Sequence, residues 1–457
     1  MSLGPHIVIL AAGLGKRMHS RMPKVLHPVL FRPMLHYVLD LAKAIPNESV
    51  HVVVGHGSGE VKKACEAYPE VNFVHQDRQL GTAHAVSMLE AFLKTQNGQA
   101  LILSGDVILL RPSTIKSMLS HHANEKAHCT LLTTFLDDPK GYGRVLRGSG
   151  QTITDIREEA DCSDKEREIR EINCGIYCFE IPSLVSALSK VTNTNAQKEY
   201  YLPDTVRFLL GKKIASFAVA DSNEIMGIND RYALWTAEKI LQERINRILM
   251  HRGVTLKDPQ TTFIDTTSKI DSDVTIEGGC NIINSTIHSG VIIESGCRIS
   301  KSIVESESHV KQGSYIENSE IGNQCTVGPY AHLRPHSVLK KGVKIGNFVE
   351  LKKSVMGEGS KASHLAYVGD AEVGNNVNLG CGFITCNYDG RPEKHKTIIE
   401  DDVFIGSDSQ TVAPVRVGKG SYVASGTTLT EDVPPYSLAL SRGRQVTKEG
   451  YAKKYKK

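Results

Sequence analysis

From about residue 264 the chain sets an aliphatic residue at every sixth position, a period that neither an α-helix nor a half-buried strand produces. Ile321, Val327, Leu333, Leu339, Ile345 and Leu351 form an unbroken series at this spacing. Before them, the triplets Ile270, Ile276, Ile282, then Ile287, Ile293, Ile299, then Val304, Val310, Ile316 keep the step of six and are separated by steps of five. The phase returns at Val373 and Leu379, and at Val417, Val423 and Leu429. Three hexads make one triangular coil of a parallel β-helix, with the aliphatics stacked inside and small or polar residues at the corners. The rhythm breaks between about residues 382 and 397, as expected where a coil extrudes a loop, and such loops often carry function.

Residues 1–228 follow a different pattern. Ile7 to Leu10, Val50 to Val54, Val71 to Val74 and Ala100 to Leu103 read as buried parallel strands, with apolar residues at helical spacing over 34–44, 60–67 and 82–93 between them. This alternation predicts a doubly wound, Rossmann-like α/β sheet with ligands at the carboxyl ends of its strands. Residues 229–251, free of Gly and Pro from Asp230 to Met250, read as a linker helix, which leaves 252–457 as the β-helix domain. A length of 457 residues accommodates both domains.

Composition narrows the function classes. Net charge is only +4, and much of it comes from the tail 448–457, with five Lys against one Glu. Such an end is usually solvated, so no nucleic-acid partner is inferred. The ten cysteines include no CxxC pair and read as reduced small hydrophobes of a cytosolic protein. No run approaches the ~20 apolar residues of a membrane span. A cytoplasmic protein is expected.

The first strand runs into Leu10-Ala11-Ala12-Gly13-Leu14-Gly15-Lys16-Arg17, with Lys24 close behind. Glycines after a strand let backbone N–H groups approach a phosphate, and the cations supply charge. Neither GxxxxGK[ST] nor GxGxxG is present. Together with Gln79-Leu-Gly-Thr82, Ser104-Gly-Asp106, Gly141-Tyr-Gly143, Ile156-Arg-Glu158, Glu171-Ile-Asn173 and Gly227-Ile-Asn229, this stretch resembles the nucleotidyltransferases that join a nucleoside triphosphate to a sugar phosphate. The resemblance implies that Leu10, Ala11, Ala12, Gly13, Gln76, Gly81, Thr82, Ser104 and Gly105 bind UTP. It gives Gly143, Glu158 and Asn173 to the sugar, Asp106 and Asn229 to Mg2+, and Arg17 and Lys24 to catalysis. The reactants repel each other by about 4 kcal/mol for two unit charges ~4 Å apart at an effective dielectric of ~20. Cations are therefore needed, and a covalent nucleophile is not. Ser104 and Lys16 stand where many relatives carry Tyr and Thr.

In the second half, Leu333-Arg334-Pro, Asn347 to Lys352, Lys361-Ala-Ser-His364-Leu-Ala-Tyr367, Asn378 and Thr385-Cys-Asn387-Tyr388 extend the resemblance over the whole chain, to the bacterial bifunctional uridylyl- and acetyltransferases that make UDP-N-acetylglucosamine. Acetylating an amine with a thioester requires a base, and imidazole titrates in the right range. The resemblance makes His364 that base. It gives Arg334, Lys352, Tyr367 and Asn378 to the amino-sugar phosphate, and Cys381, Asn387, Tyr388, Ser407, Ser425 and Arg442 to acetyl-CoA. Cys381 and Ser425 replace a more usual Ala. It further implies a homotrimer through the β-helix, with sites shared between subunits and the basic tail packed near a neighbour's site.

Two rivals remain at this level. A single-function sugar-nucleotide pyrophosphorylase with a structural β-helix would not need His364 with Arg334, Lys352, Tyr367 and Asn378. An inactive assembly scaffold of the same two-part plan would not need Gly13, Lys24 and Asp106.

Overall fold

A computed structural model describes residues 4–391, 393–441 and 443–455. The chain divides into two compact units, 1–241 and 242–457.

Among the described residues, nine strands form the sheet of the first unit. They are β1 (His6–Leu10), β2 (Ser49–Val54), β3 (Val71–His75), β4 (Gln99–Ser104), β5 (Cys129–Phe135), β6 (Gly143–Arg147), β7 (Ile153–Arg157), β8 (Glu171–Glu180) and β9 (Ile214–Ala218). The order is β9-β5-β8-β4-β1-β2-β3, with β6 pairing β8 and β7 off this path. Strands β1, β2, β3 and β4 are mutually parallel. Ile7 to Ile9 of β1, the valines of β2 and the aliphatics of β4 are buried, as strands covered on both faces must be, whereas β3, expected to be buried, lies at the sheet edge with Val71 and Val74 only half-buried. The sheet is not purely parallel, however. Strand β8 runs antiparallel to β4, β5 and β6. Strand β1 pairs with β2 on one edge and β4 on the other, which makes its carboxyl end a topological switch point. The helical stretch expected over 82–93 is two helices, α1 (Thr82–Ser87) and a single turn at Glu90–Leu93, parted at Leu89.

The linker helix is α2 (Arg231–His251), and the boundary between the units falls within it. Before the boundary, Glu238 accepts from the Leu30 amide at 2.9 Å. Beyond it, Gln242 and Asn246 donate to the carbonyls of Pro259 and Thr262.

The second unit is a parallel β-helix. Among the described residues its three faces hold 11, 10 and 9 strands, every one parallel to its neighbours. Partners recur 17 or 18 residues apart, as Ile276↔Ile293↔Val310↔Val327↔Ile345 illustrates. All the hexad aliphatics from Ile276 to Leu351 are buried in one continuous core, and only the first, Ile270, is partly covered. Between Leu379 and Ile405, which also pair, the coil is longer, and the surplus forms the predicted loop. At the corners, residues such as Tyr330, Phe348 and Leu365 adopt positive φ.

Removing one rung of this core is expected to be costly. Ile316→Ala should lower the unfolding free energy by about 2–5 kcal/mol in urea titrations; a loss below about 1 kcal/mol would contradict a continuously packed interior.

Candidate active sites in the two units

At the carboxyl ends of β1 and β4 the first unit opens a cleft of about 410 Å³. Leu10, Ala11, Ala12, Gly13, Lys24, Gln76, Gly81, Thr82, Ser104 and Asp106 all line it. Two glycines make this possible. Gly15 sits at φ +59, and a Cβ there would stand 2.7 Å from Cβ of Lys24, so only glycine lets that lysine pass into the cleft. Gly81 sits at φ +115, where a Cβ would meet the Tyr200 carbonyl oxygen at 2.5 Å. That approach allows the Ala83 amide to donate to Tyr200 at 2.8 Å and the Leu202 amide to donate to the Thr82 hydroxyl at 2.9 Å. Gln76 is buried and donates to the Gly81 carbonyl at 3.2 Å.

The electrostatic centre is a cation between two oxygens. The Lys24 ammonium donates to the Asp106 carboxylate and, at 2.8 Å, to Oδ1 of Asn229. The Ser104 hydroxyl steadies Asp106 through its other oxygen at 2.6 Å. A carboxylate and an amide oxygen converging on one positive group are hard ligands of the kind Mg2+ takes, so the residues fit that ion. Among the described residues no cluster of three or more His, Cys, Asp or Glu is poised for a metal. The ion's remaining positions would therefore fall to water and substrate phosphates, as is usual for Mg2+.

Other predicted residues lie elsewhere. The Gly105 amide donates to the Leu10 carbonyl at 2.9 Å and ties β4 to β1 beside the cleft wall. Arg17 is exposed on a short turn, Lys16–Met18, and does not line the cleft. Gly143, Glu158 and Asn173 form a second cluster. Gly143 pairs with Asn173 across β6 and β8, and a Cβ at 143 would stand 3.2 Å from Glu158. Asn173 is buried at a bulge and donates to the Tyr177 hydroxyl at 2.6 Å. Burial pushes the Glu158 carboxyl up to about 7, with Asp204 and Asp161 adding repulsion. Glu158 borders a separate pocket of about 140 Å³. Glu199, which lines the larger cleft, was missed because nothing marks a lone acid in a polar stretch.

In the second unit the ladder register builds the site. Lys344, Lys361, Asn378, Phe404 and Tyr422 are successive partners on one face. Three residues further along each coil stand Asn347, His364, Cys381, Ser407 and Ser425, stacked at a corner, and the pairing Asn347↔His364 is explicit. His364 is exposed, and its Nδ1 lies 2.7 Å from Oδ1 of Asn347. Past that corner, Arg334 and Lys352 point from the next face. Arg334 pairs with Glu350 at 2.8 Å. Lys394 of the extruded loop, with Arg334 behind it, depresses the Lys352 ammonium below its ordinary range. Three cations thus share one small region, and Lys394 carried no sequence signal because its place depends on how the loop folds back.

Tyr367 and Asn387 both reach over Gly369, and Asn387 donates to Asp370 at 2.5 Å. Asn387 and the exposed Tyr388 lie at the far corner of this face, so a single chain does not unite them with Cys381, Ser407 and Ser425. Arg442 lies outside the described residues.

A nucleotidyltransferase-type α/β unit with a cation-centred cleft, joined to a hexapeptide β-helix bearing an oriented imidazole, defines a two-headed group-transfer enzyme. Residues 6–237 match the nucleotidyl transferase family, and 260–344 match the GMPPB C-terminal domain. "Bifunctional protein GlmU" of Geotalea uraniireducens is 47% identical over 452 residues, covering 98% of this chain and 99% of that protein. Those of Geobacillus sp. (strain WCH70) and Listeria monocytogenes serovar 1/2a are 45% and 44% identical, over 98% of this chain and 97% and 98% of theirs. The chain belongs to the bifunctional GlmU family.

Folding favours the protonated form of Glu158, so its contribution to stability falls as pH rises from its ordinary range through about 7. Glu158→Gln removes this penalty. Thermal melts from pH 4.5 to 7.5 should show the variant gaining on the unmodified protein as pH rises; a constant difference would contradict the raised carboxyl.

Proposed function

We propose that the two sites divide the synthesis of UDP-N-acetylglucosamine between them. This bifunctional enzyme transfers acetyl from acetyl-CoA to glucosamine-1-phosphate, then uridylyl from UTP to N-acetylglucosamine-1-phosphate with release of pyrophosphate; we place the first step in the β-helix and the second in the α/β unit. The Asn347–His364 pair carries this reading, because a purely structural coil has no use for an exposed, oriented imidazole.

At the β-helix corner, Nδ1–H of His364 donates to Asn347, which leaves Nε2 as the free base. It takes the proton from the amine as nitrogen attacks the thioester carbonyl. The carbon–sulfur bond then breaks, and the coenzyme thiolate recovers a proton. Arg334, Lys352 and Lys394 hold the phosphate, and Tyr367 and Asn378 hold the sugar. The column Cys381, Ser407, Ser425 receives the acetyl-CoA arm, while Asn387, Tyr388 and Arg442 complete its site from a neighbouring subunit. That arrangement needs a homotrimer. Tyr330, Phe348 and Leu365, exposed at the corner next to His364, with the first two rings stacked at 5.9 Å, suit the interface.

In the α/β cleft, the phosphate oxygen of the sugar attacks the α-phosphorus of UTP in line, and pyrophosphate leaves. Ala11, Gly13, Gln76, Gly81 and Thr82 hold the uridine and ribose, and Gly143, Glu158 and Asn173 hold the sugar. Asp106 and Asn229 would hold Mg2+, which would supply positive charge to the reacting phosphates. Lys24 would serve those phosphates from within the cleft, and Arg17, exposed on the turn Lys16–Met18, would serve the outer ones. Among the described residues no helix is long and apolar enough to cross a membrane, and the cysteines are unpaired. Both observations support a cytoplasmic location.

Removing the base should cost about 10²–10⁴ in acetyl transfer. His364→Ala is expected to lose that activity and keep uridylyl transfer, and Asp106→Ala to do the reverse. Separate assays of coenzyme A and pyrophosphate release check this, and loss of both activities in either folded variant would refute separate sites.

A further inference from the structure

The segment from Met18 to Leu30 follows Arg17 directly and carries Lys24 at its middle, and one face of the linker helix α2 grips it at both ends. Arg231, the first residue of α2, donates from Nε to the Met18 carbonyl at 3.3 Å. Its Nη1 donates to Nδ1 of His27 at 3.0 Å. Two turns further along the helix, Glu238 accepts from the Leu30 amide. Leu30 and Phe31 adopt positive φ of 42° and 67°, a conformation that residues other than glycine keep only where their surroundings impose it.

The partners of Arg231 are deeply placed, Met18 being 1% and His27 2% exposed. A guanidinium can only donate, so Nδ1 of His27 must accept, and the ring is neutral. Burial, with Arg231 beside it, holds His27 below the usual imidazole range, in agreement. His27 closes the turn Lys24–Leu26, its amide donating to the Lys24 carbonyl at 3.2 Å. Met18 ends the turn that bears Arg17, its amide donating to the Gly15 carbonyl at 2.8 Å. One planar fork thus joins the two cation-bearing turns, and the point charge of a lysine could not serve both directions. Two residues before the fork stands Asn229, whose Oδ1 accepts from Lys24 at 2.8 Å. The contacts therefore close a ring, from Asn229 through Arg231 and His27 to Lys24 and back.

We propose that Arg231 is a positioning residue for uridylyl transfer, holding the turns that carry Arg17 and Lys24 in one register with Asn229. Its guanidinium is engaged by Met18 and His27, so it acts through those two cations rather than on the phosphates. Misplacing a group that faces the reacting atoms by about 1 Å can cost about a hundredfold in rate. This inference rests on the assignment of uridylyl transfer to the α/β cleft.

The test compares Arg231→Lys, which keeps the charge and loses the fork, with His27→Leu and His27→Asn, all in the full-length protein. Arg231→Lys and His27→Leu should each lower kcat for pyrophosphate release by about ten- to a hundredfold. KM for N-acetylglucosamine-1-phosphate and the rate of acetyl transfer should not change. In His27→Asn the amide oxygen replaces Nδ1 as acceptor, so this variant should recover most of what His27→Leu loses. Calorimetric binding of UTP without sugar phosphate should weaken in the first two variants and hold in the third. Added guanidinium should restore pyrophosphate release to Arg231→Ala in a saturable manner. An unchanged kcat in Arg231→Lys, a His27→Asn protein as impaired as His27→Leu, or no rescue by guanidinium would each overturn the proposal. No pyrophosphate release by the unmodified protein would instead refute the underlying assignment of uridylyl transfer.

Discussion

The hydrogen-bonded ladder between successive coils is the constraint on which the β-helix site depends. Parallel strands about 4.8 Å apart fix which residue stands above which. A shift of one residue would turn the buried hexad aliphatics outward and the corner residues inward. Because Ile345 pairs with Ala362, and Ala362 with Leu379, Asn347 meets His364 at hydrogen-bond distance and Cys381 follows on the next coil. The core that stabilises the prism therefore also aligns its chemistry. Gly346 and Gly380 take part, since a side chain at either would collide with the backbone of the next coil.

The first unit solves a different problem, holding like charges together. Lys24 neutralises Asp106 and engages Asn229, so the two oxygens are drawn to one point. A preformed arrangement of this kind requires little reorganisation when charge develops during reaction. The second cluster is tuned differently, with Glu158 raised by burial and crowded by Asp204 and Asp161.

Much of this was legible in the sequence. The hexad period survives because every aliphatic in it faces one interior, so a regular environment writes a regular pattern. The segments β1, β2 and β4 were legible because burial on both faces demands unbroken apolar runs. The antiparallel course of β8 was not, since Glu171–Glu180 is equally apolar in either direction and only pairing reveals its sense. Of the predicted site residues, those at the carboxyl ends of β1 and β4 and in the turns after them line one cleft, while Gly143, Glu158 and Asn173 gather in a second cluster. Arg17 does not line the cleft, because it is exposed on the turn Lys16–Met18 with no packing to aim it inward. Lys394 and Glu199 were not legible for a common reason: each takes its place from a loop or turn brought beside another element, and neither period nor spacing records that.

The central claim is that one chain holds two catalysts that work separately and in sequence. Mixing equal amounts of His364→Ala and Asp106→Ala proteins with glucosamine-1-phosphate, acetyl-CoA, UTP and Mg2+ tests it most directly. Each variant alone should stall, and the mixture should regain UDP-N-acetylglucosamine synthesis as intermediate made by one protein is consumed by the other. A mixture that stays silent, although each variant keeps its remaining half-reaction, would contradict two independent sites.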